Sequence, residues 1–171
     1  EVLQLTQNPN AQAKDFEEIL RRDQALTAKV LRLVNSPFFG LRREVTSIPQ
    51  AIVVLGMRTL RSVVVAAQTS RLLDKQLGPY GLAEGGMWAH SMSCATLTRL
   101  LAKRAKLPGD LGEELFVGGL LHDVGKVILA PHVAGAQAEF DRVRGATGDV
   151  VRAEHDVLGT THPEIGGAMA R

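Results

Sequence analysis

With 171 residues, 45% of them hydrophobic and 22% charged, the chain has the composition of a globular protein and enough length for one core, or for two lobes. Aromatic residues make up only 4%, so the core has to be built from Leu, Val, Ala and Ile; the net charge of +2 is spread over small clusters such as Arg21-Arg22, Arg42-Arg43 and Lys103-Arg104, with no basic stripe interleaved with aromatics of the kind that tracks nucleic acid. The one cysteine, Cys94, excludes an intrachain disulfide and fits a reducing compartment.

Apolar residues recur at helical spacing throughout, and alternating strands are absent, so the expected fold class is all-α. Phe16, Ile19 and Leu20 give a short amphipathic helix behind Asp15. Asp23 reads as the N-cap of the next, whose stripe is Leu26, Val30, Leu31 and Val34. That helix ends near Asn35-Ser36-Pro37, because Pro37 disfavours helical backbone at Ser36. Phe38-Phe39-Gly40 is a turn whose rings plug a groove between helices. Ser47 caps a further helix with Pro49 in its first turn, and Gly56 closes it. Met57 to Leu73 follows, with Leu60, Val63, Val64 and Ala67 facing the core. The apolar runs Ile52 to Gly56 and Val63 to Ala67 are each too short to span a bilayer, so no membrane segment is expected, and no signal peptide is visible.

Gly78-Pro79-Tyr80-Gly81 and Gly85-Gly86 mark a dividing loop. The expected organisation is a helical lobe over 1–80 and a second helical lobe over 81–171. In the second lobe a helix runs from about Trp88 to Lys106, with Leu97, Leu100 and Leu101 on its buried side. Leu111 to Leu129 is expected as one helix, ended by Pro131. Ala136 to Val143 is the next, followed by a loop over Gly145 to Gly148. Asp149 starts a helix through Glu154 and His155, Gly159 breaks it, and Thr161 caps the last one, with Ile165 on its inner face. The abrupt start at Glu1 and the stop at Arg171 within a helical pattern lead to the expectation of a piece of a larger protein, cut short at its C-terminus.

The chemistry concentrates in Gly118-Gly119-Leu120-Leu121-His122-Asp123-Val124-Gly125-Lys126. An apolar run does not accept an imidazole and a carboxylate without partners, so the pair has to be hydrogen-bonded, ion-paired or metal-bound. His90, His132, His155 and His162 are the other histidines. All five fall in the second half with Asp123, on different helices or helix ends. Helical bundles assemble metal sites in that way, from inward side chains of facing helices. Imidazole and carboxylate suit Zn, Mn, Fe or Ni, and an open position on such an ion would activate water for attack on phosphorus. Each piece also has a plainer reading. His90 is equally a hydrogen-bonded histidine, and His122 with Asp123 is equally a polar network holding helices in register. Lys126 is placed to pair with Asp123 at i+3. His132 reads as an exposed cap and His155 as solvated. His162 reads equally as a buried imidazole and as a ligand, and Cys94 as a small core residue.

Leu120-Leu121-His122-Asp123-Val124-Gly125-Lys126 resembles the His-Asp motif of the HD superfamily of metal-dependent phosphohydrolases. Further segments narrow the resemblance to the HDOD family, the HD-related output domain of bacterial signalling proteins. They are Asp23 to Pro37, Ser47-Ile48-Pro49-Gln50-Ala51-Ile52 through Leu55-Gly56, Trp88-Ala89-His90-Ser91, Glu154, and Leu158-Gly159-Thr160-Thr161-His162-Pro163-Glu164-Ile165-Gly166. The resemblance implies an all-helical fold with an HD-like bundle in the second half, and a bacterial, mostly cytoplasmic, regulatory protein. It also implies a metal set matching His90, His122 and Asp123, with His162 matching a histidine that the related cyclic di-GMP phosphodiesterases place after the motif. Lys126 matches the lysine of those enzymes and would be the catalytic group of a hydrolase. The later His-His pair, the terminal Asp and the Gly-Tyr-Pro motif of the phosphodiesterases have no counterpart before Arg171. The function implied is therefore a non-catalytic output module for a partner protein, another signalling domain or a nucleotide second messenger such as cyclic di-GMP. In that reading the cofactor is either absent or a divalent transition metal on a vestigial site. The alternative is a metal-dependent phosphodiesterase or phosphohydrolase. A third reading binds cyclic di-GMP without cleavage, through arginines such as Arg58 or Arg61.

Overall fold

The computed structural model describes residues 2–8 and 11–169. Those residues form ten α-helices and one 3-10 turn, with no strand beyond an isolated bridge between Leu77 and Leu82. The expected all-α class is the one observed. Continuation of the last helix through Ala170 and Arg171 lies outside the described residues.

The helix starts follow from local chemistry. After α1 (Val2–Gln7), α2 (Ala13–Arg22) begins where the Asp15 carboxylate accepts the Gln12 N–H at 2.8 Å. Asp23 caps α3 (Gln24–Val34), accepting the Leu26 N–H at 2.8 Å. Past α3, the Asn35 amide grips Val45 twice, donating to its carbonyl and accepting its N–H, both at 2.8 Å. That clamp fixes the intervening turn without regular structure. Ser47 precedes α4 (Ile48–Leu73), whose backbone breaks at Gly56 with φ 79° and ψ 163°. Gly56 thus closes one helical segment and opens the next, as its freedom at positive φ permits.

By length and composition alone, Ile48–Leu73 is long and apolar enough to cross a bilayer, although its two apolar runs taken singly are not. The break at Gly56 interrupts it, and Leu60, Val63, Val64 and Ala67 are buried in a core with Phe16, Leu20, Val30 and Val34. We read it as a core helix.

After the 3-10 turn Gly78–Tyr80 come α5 (Gly86–Arg104), α6 (Gly109–Leu121), α7 (Gly125–Gly135), α8 (Gln137–Thr147), α9 (Val150–Leu158) and α10 (His162–Met169). Asp149 caps α9 by accepting the Arg152 N–H at 3.1 Å, and Gly159 ends it at φ 72°. The Thr161 N–H and hydroxyl both donate to the Glu164 carboxylate at the start of α10, a reciprocal cap.

Four expectations need correction. Leu97, Leu100 and Leu101 are 56%, 59% and 62% exposed, while Met87, Ser91, Met92, Ala95 and Ala102 form the buried side of α5. Both stripes have helical spacing, and the one with smaller side chains is the buried one. The expected helix Leu111 to Leu129 is two helices, because residues 122–124 tighten into i+3 hydrogen bonds: Val124 N–H to Leu121 O, Lys126 N–H to Asp123 O and Val127 N–H to Val124 O. Pro131 lies inside α7, on its exposed side, where its missing N–H costs the helix one bond. Gly145 belongs to α8, and only Gly148, at φ 68°, makes the turn to α9.

The chain divides into two compact units: Glu1–Ser70 with Ala95–Val117, and Arg71–Cys94 with Gly118–Arg171. The division interleaves along the sequence. The first unit holds the apolar core just described. The second has a smaller apolar cluster of Leu129, Val133, Phe140, Val143 and Ala153, edged by Tyr80 and Ile165.

Candidate functional site

The second unit gathers His90, His122, Asp123, Lys126 and His162 in one place, together with Glu154 and Tyr80. His90 comes from α5, His122 and Asp123 from the turn between α6 and α7, and Lys126 from the first turn of α7. His162 is the first residue of α10. The turn is held there by a close backbone approach: a Cβ on Gly125 would lie 2.1 Å from the His162 carbonyl oxygen and 3.0 Å from the Gly166 nitrogen. Only glycine lets α7 start so close to α10.

Asp123 is the hub, and it is buried at 5% exposure. Its Oδ2 accepts from the Lys126 ammonium at 2.6 Å, the i+3 pair that the spacing offered. Its Oδ1 faces His162 Nε2 at 3.1 Å. The other ring nitrogen of His162, Nδ1, lies 2.7 Å from Glu154 Oε2. With a carboxylate oxygen at each ring nitrogen, the site favours the doubly protonated ring, in which both nitrogens donate. Glu154 is fully buried; its Oε2 also accepts the His162 backbone N–H at 2.8 Å, and its Oε1 accepts the Tyr80 hydroxyl at 2.7 Å. A carboxylate at the N-terminus of α10 is also favoured by the helix dipole.

The protonation equilibria follow from these contacts. Burial alone would raise the Asp123 carboxyl, but hydrogen bonds from His162 and Lys126 outweigh it and hold the group well below the usual carboxylate range. Burial likewise pushes Glu154 up, and hydrogen bonds from the His162 ring and backbone and from Tyr80 bring it below its ordinary value. His162 is lowered by burial and raised more strongly by its bonds to Asp123 and Glu154, so it sits above an ordinary histidine. Tyr80 is raised, first by burial and then by Glu154. When the His162 ring is protonated, two carboxylates face two cations and the network balances within itself.

His90 and His122 stand at the outer edge, with side chains 52% and 39% exposed. His122 Nδ1 donates to the Gly119 carbonyl at 2.8 Å, which turns its Nε2 lone pair toward His90. The two Nε2 atoms are 3.3 Å apart. Asp123 lies 3.6 Å from His90 Nε2 through Oδ2 and 3.5 Å from His122 Nε2 through Oδ1. These separations are of the size found between donors around one ion bound at about 2.0–2.2 Å, but the two Asp123 distances run to different oxygens, each already paired with Lys126 or His162. Cys94 Sγ is 3.7 Å from His90 Nε2.

The remaining histidines stay apart from this group. His132 is exposed in the last turn of α7, and His155 is exposed beside Asp156. Arg58 pairs with Asp110, and Arg61 donates to the Ala11 carbonyl at 3.1 Å, both within the first unit. Sequence reasoning missed Glu154 and Tyr80 as members of the network. Glu154 entered the sequence reading only among the residues that carry the family resemblance, and Tyr80 only as part of the dividing loop.

Comparison with known proteins agrees with this architecture. A structure from Shewanella amazonensis SB2B, named as a candidate phosphohydrolase, is similar with a TM-score of 0.83 and 30% identity over 99% of this chain and 58% of that one. An HDOD domain protein with unknown function from Geobacter sulfurreducens is similar with a TM-score of 0.76 and 29% identity over 99% of this chain and 56% of that one. An uncharacterized protein of Treponema pallidum (strain Nichols) is 27% identical over 182 residues, covering all of this chain and 33% of that protein. This chain thus spans a little over half of the two solved chains and a third of the curated relative. The family model for the HDOD domain matches residues 1–171, and the chain belongs to the HDOD domain family.

Proposed function

We propose that this domain is a non-catalytic signal-output module, of bacterial and cytoplasmic setting, whose His-Asp pair serves the fold of the second unit. The observation that carries the reading is the engagement of Asp123: Lys126 at 2.6 Å on one oxygen and His162 at 3.1 Å on the other. A carboxylate neutralised on both oxygens by fixed cations has little charge left to offer a metal, and removing either cation would leave a buried ion uncompensated. The exposed leucines Leu97, Leu100 and Leu101 support a partner protein as the object of binding, ahead of a nucleotide messenger. Purified domain assayed with cyclic di-GMP and added manganese or iron should show no turnover above background. Turnover abolished by both His122→Ala and Asp123→Ala would overturn the reading.

The 3.3–3.6 Å separations among His90, His122 and Asp123 favour a second reading, a metal-dependent phosphohydrolase. A bound metal would supply Lewis-acid activation of water. Lys126 would then leave Asp123 and contact a substrate phosphate, while His162 and Glu154 would keep Asp123 oriented.

A further inference from the structure

With Asp123 committed to Lys126 and His162, the outer edge of the network still presents two imidazoles and a thiol. His90 and Cys94 are four residues apart on α5 and so share one helix face. His122 meets them from the turn before α7. One ligand atom from each of the three lies within 4.8 Å of the other two. We propose that His90, Cys94 and His122 form a thiolate-containing zinc site, in which Cys94 replaces the carboxylate of the His-Asp pair as the anionic ligand. The proposal rests on the reading of Asp123 as a structural group.

The two separations that His90 makes match those of a tetrahedral ion. Zinc binds imidazole nitrogen at about 2.0–2.1 Å and thiolate sulfur at about 2.3 Å; tetrahedral angles then place two nitrogens roughly 3.4 Å apart and nitrogen roughly 3.6 Å from sulfur. The corresponding separations here are 3.3 Å for His90 Nε2 to His122 Nε2 and 3.7 Å for His90 Nε2 to Cys94 Sγ. His122 is already oriented for the task by its Nδ1 bond to the Gly119 carbonyl, the outer contact that fixes tautomer and ring direction in metal-bound histidines. Two imidazoles and one sulfur select a borderline-soft ion such as zinc over magnesium or calcium, which prefer oxygen. Binding displaces the thiol proton to solvent and leaves a fourth position open. His90 and His122 are exposed enough for an ion to enter from water.

Cobalt(II) reports the ligand set directly. Titration of the purified domain with cobalt should produce a thiolate-to-metal absorption band in the near ultraviolet, and Cys94→Ser should remove that band. Zinc should slow the reaction of Cys94 with a thiol reagent in the unaltered protein, a readout that needs no variant. Cobalt bound without the thiolate band would place the ion on His90, His122 and Asp123, overturning both this site and the structural reading of Asp123. No binding of cobalt or zinc would overturn this site alone and leave that reading standing.

Discussion

The first unit closes around side chains with no polar atoms: Phe16, Leu20, Val30, Val34, Leu60 and Val64 are all at 0% exposure. The second unit places Asp123, Glu154 and His162 where the first places aliphatic groups, at 5%, 0% and 6% exposure. Burial in the first unit is stabilised by volume and contact, which depend little on solution conditions. Burial in the second is tolerated only while every donor finds its acceptor, which ties it to protonation state and to each partner. One small domain thus holds one core that responds to shape and another that responds to charge.

The largest expected effects come from breaking each core at its centre. Phe16→Ala should cost about 3–5 kcal/mol through the cavity it leaves. Glu154→Ala should cost a similar amount, about 3–5 kcal/mol, for a different reason: it removes the acceptor of Tyr80 and of both His162 donors and leaves a buried imidazolium half-paired. The pH dependence separates them. His162 is raised in the fold, so its contribution is complete below the ordinary histidine value of 6.5 and is lost as pH rises through the raised value. Asp123 and Glu154 are lowered, so their contributions are present above the ordinary carboxylate values and are lost as pH falls through the lowered ones. Urea unfolding of the unaltered domain followed across pH should therefore be most stable in mildly acidic solution, declining on either side. Phe16→Ala should shift that curve down without changing its shape, whereas Glu154→Ala should flatten its alkaline limb. Identical curve shapes for the two variants would dissolve the contrast between the cores.

The next effect tests what brings the charged core together. Gly125→Ala would push a methyl to 2.1 Å from the His162 carbonyl oxygen and 2.9 Å from its carbon, atoms of backbone that no side-chain rotation can clear. The starts of α7 and α10 have to separate, at the upper end of about 1–3 kcal/mol. Amide exchange should accelerate in α7 and α10 and leave α2 and α3 unchanged. Gly118→Ala, where a methyl meets nothing within 4 Å, is the matched control.

These contrasts also show what a sequence discloses and what it withholds. Asp23, Ser47, Asp149 and Thr161 were legible as helix starts because a cap is satisfied within three or four residues of itself. The His-Asp pair was legible as a centre, because an imidazole and a carboxylate in an apolar run demand partners, and Lys126 was legible at i+3. The break at residues 122–124 was not, since it depends on Gly125 lying under the His162 carbonyl, a contact between residues far apart in the chain. Glu154 was hidden for the same reason: exposed and buried glutamates look alike until the fold brings Tyr80 and His162 to one of them. On α5 two apolar stripes share the helical spacing, so the pattern alone does not separate Leu97, Leu100 and Leu101 from Met92 and Ala95.

The smallest effect expected is also the one that should be equal in both units. Asp23 and Asp149 are both exposed, and each accepts one N–H at the start of a helix, at 2.8 Å and 3.1 Å. Neither touches the apolar core or the charged network. Asp23→Ala and Asp149→Ala should each cost about 1 kcal/mol, the ordinary worth of a cap. Because a cap acts on its own helix terminus, the cost should be indifferent to which core lies beneath it. If Asp149→Ala proved several-fold more costly than Asp23→Ala, the start of α9 would be coupled to Glu154 one turn on, and the charged network would extend to that helix terminus. Equal costs confine it to Tyr80, Asp123, Lys126, Glu154 and His162, and mark the remainder of the second unit as held by the same local forces as the first.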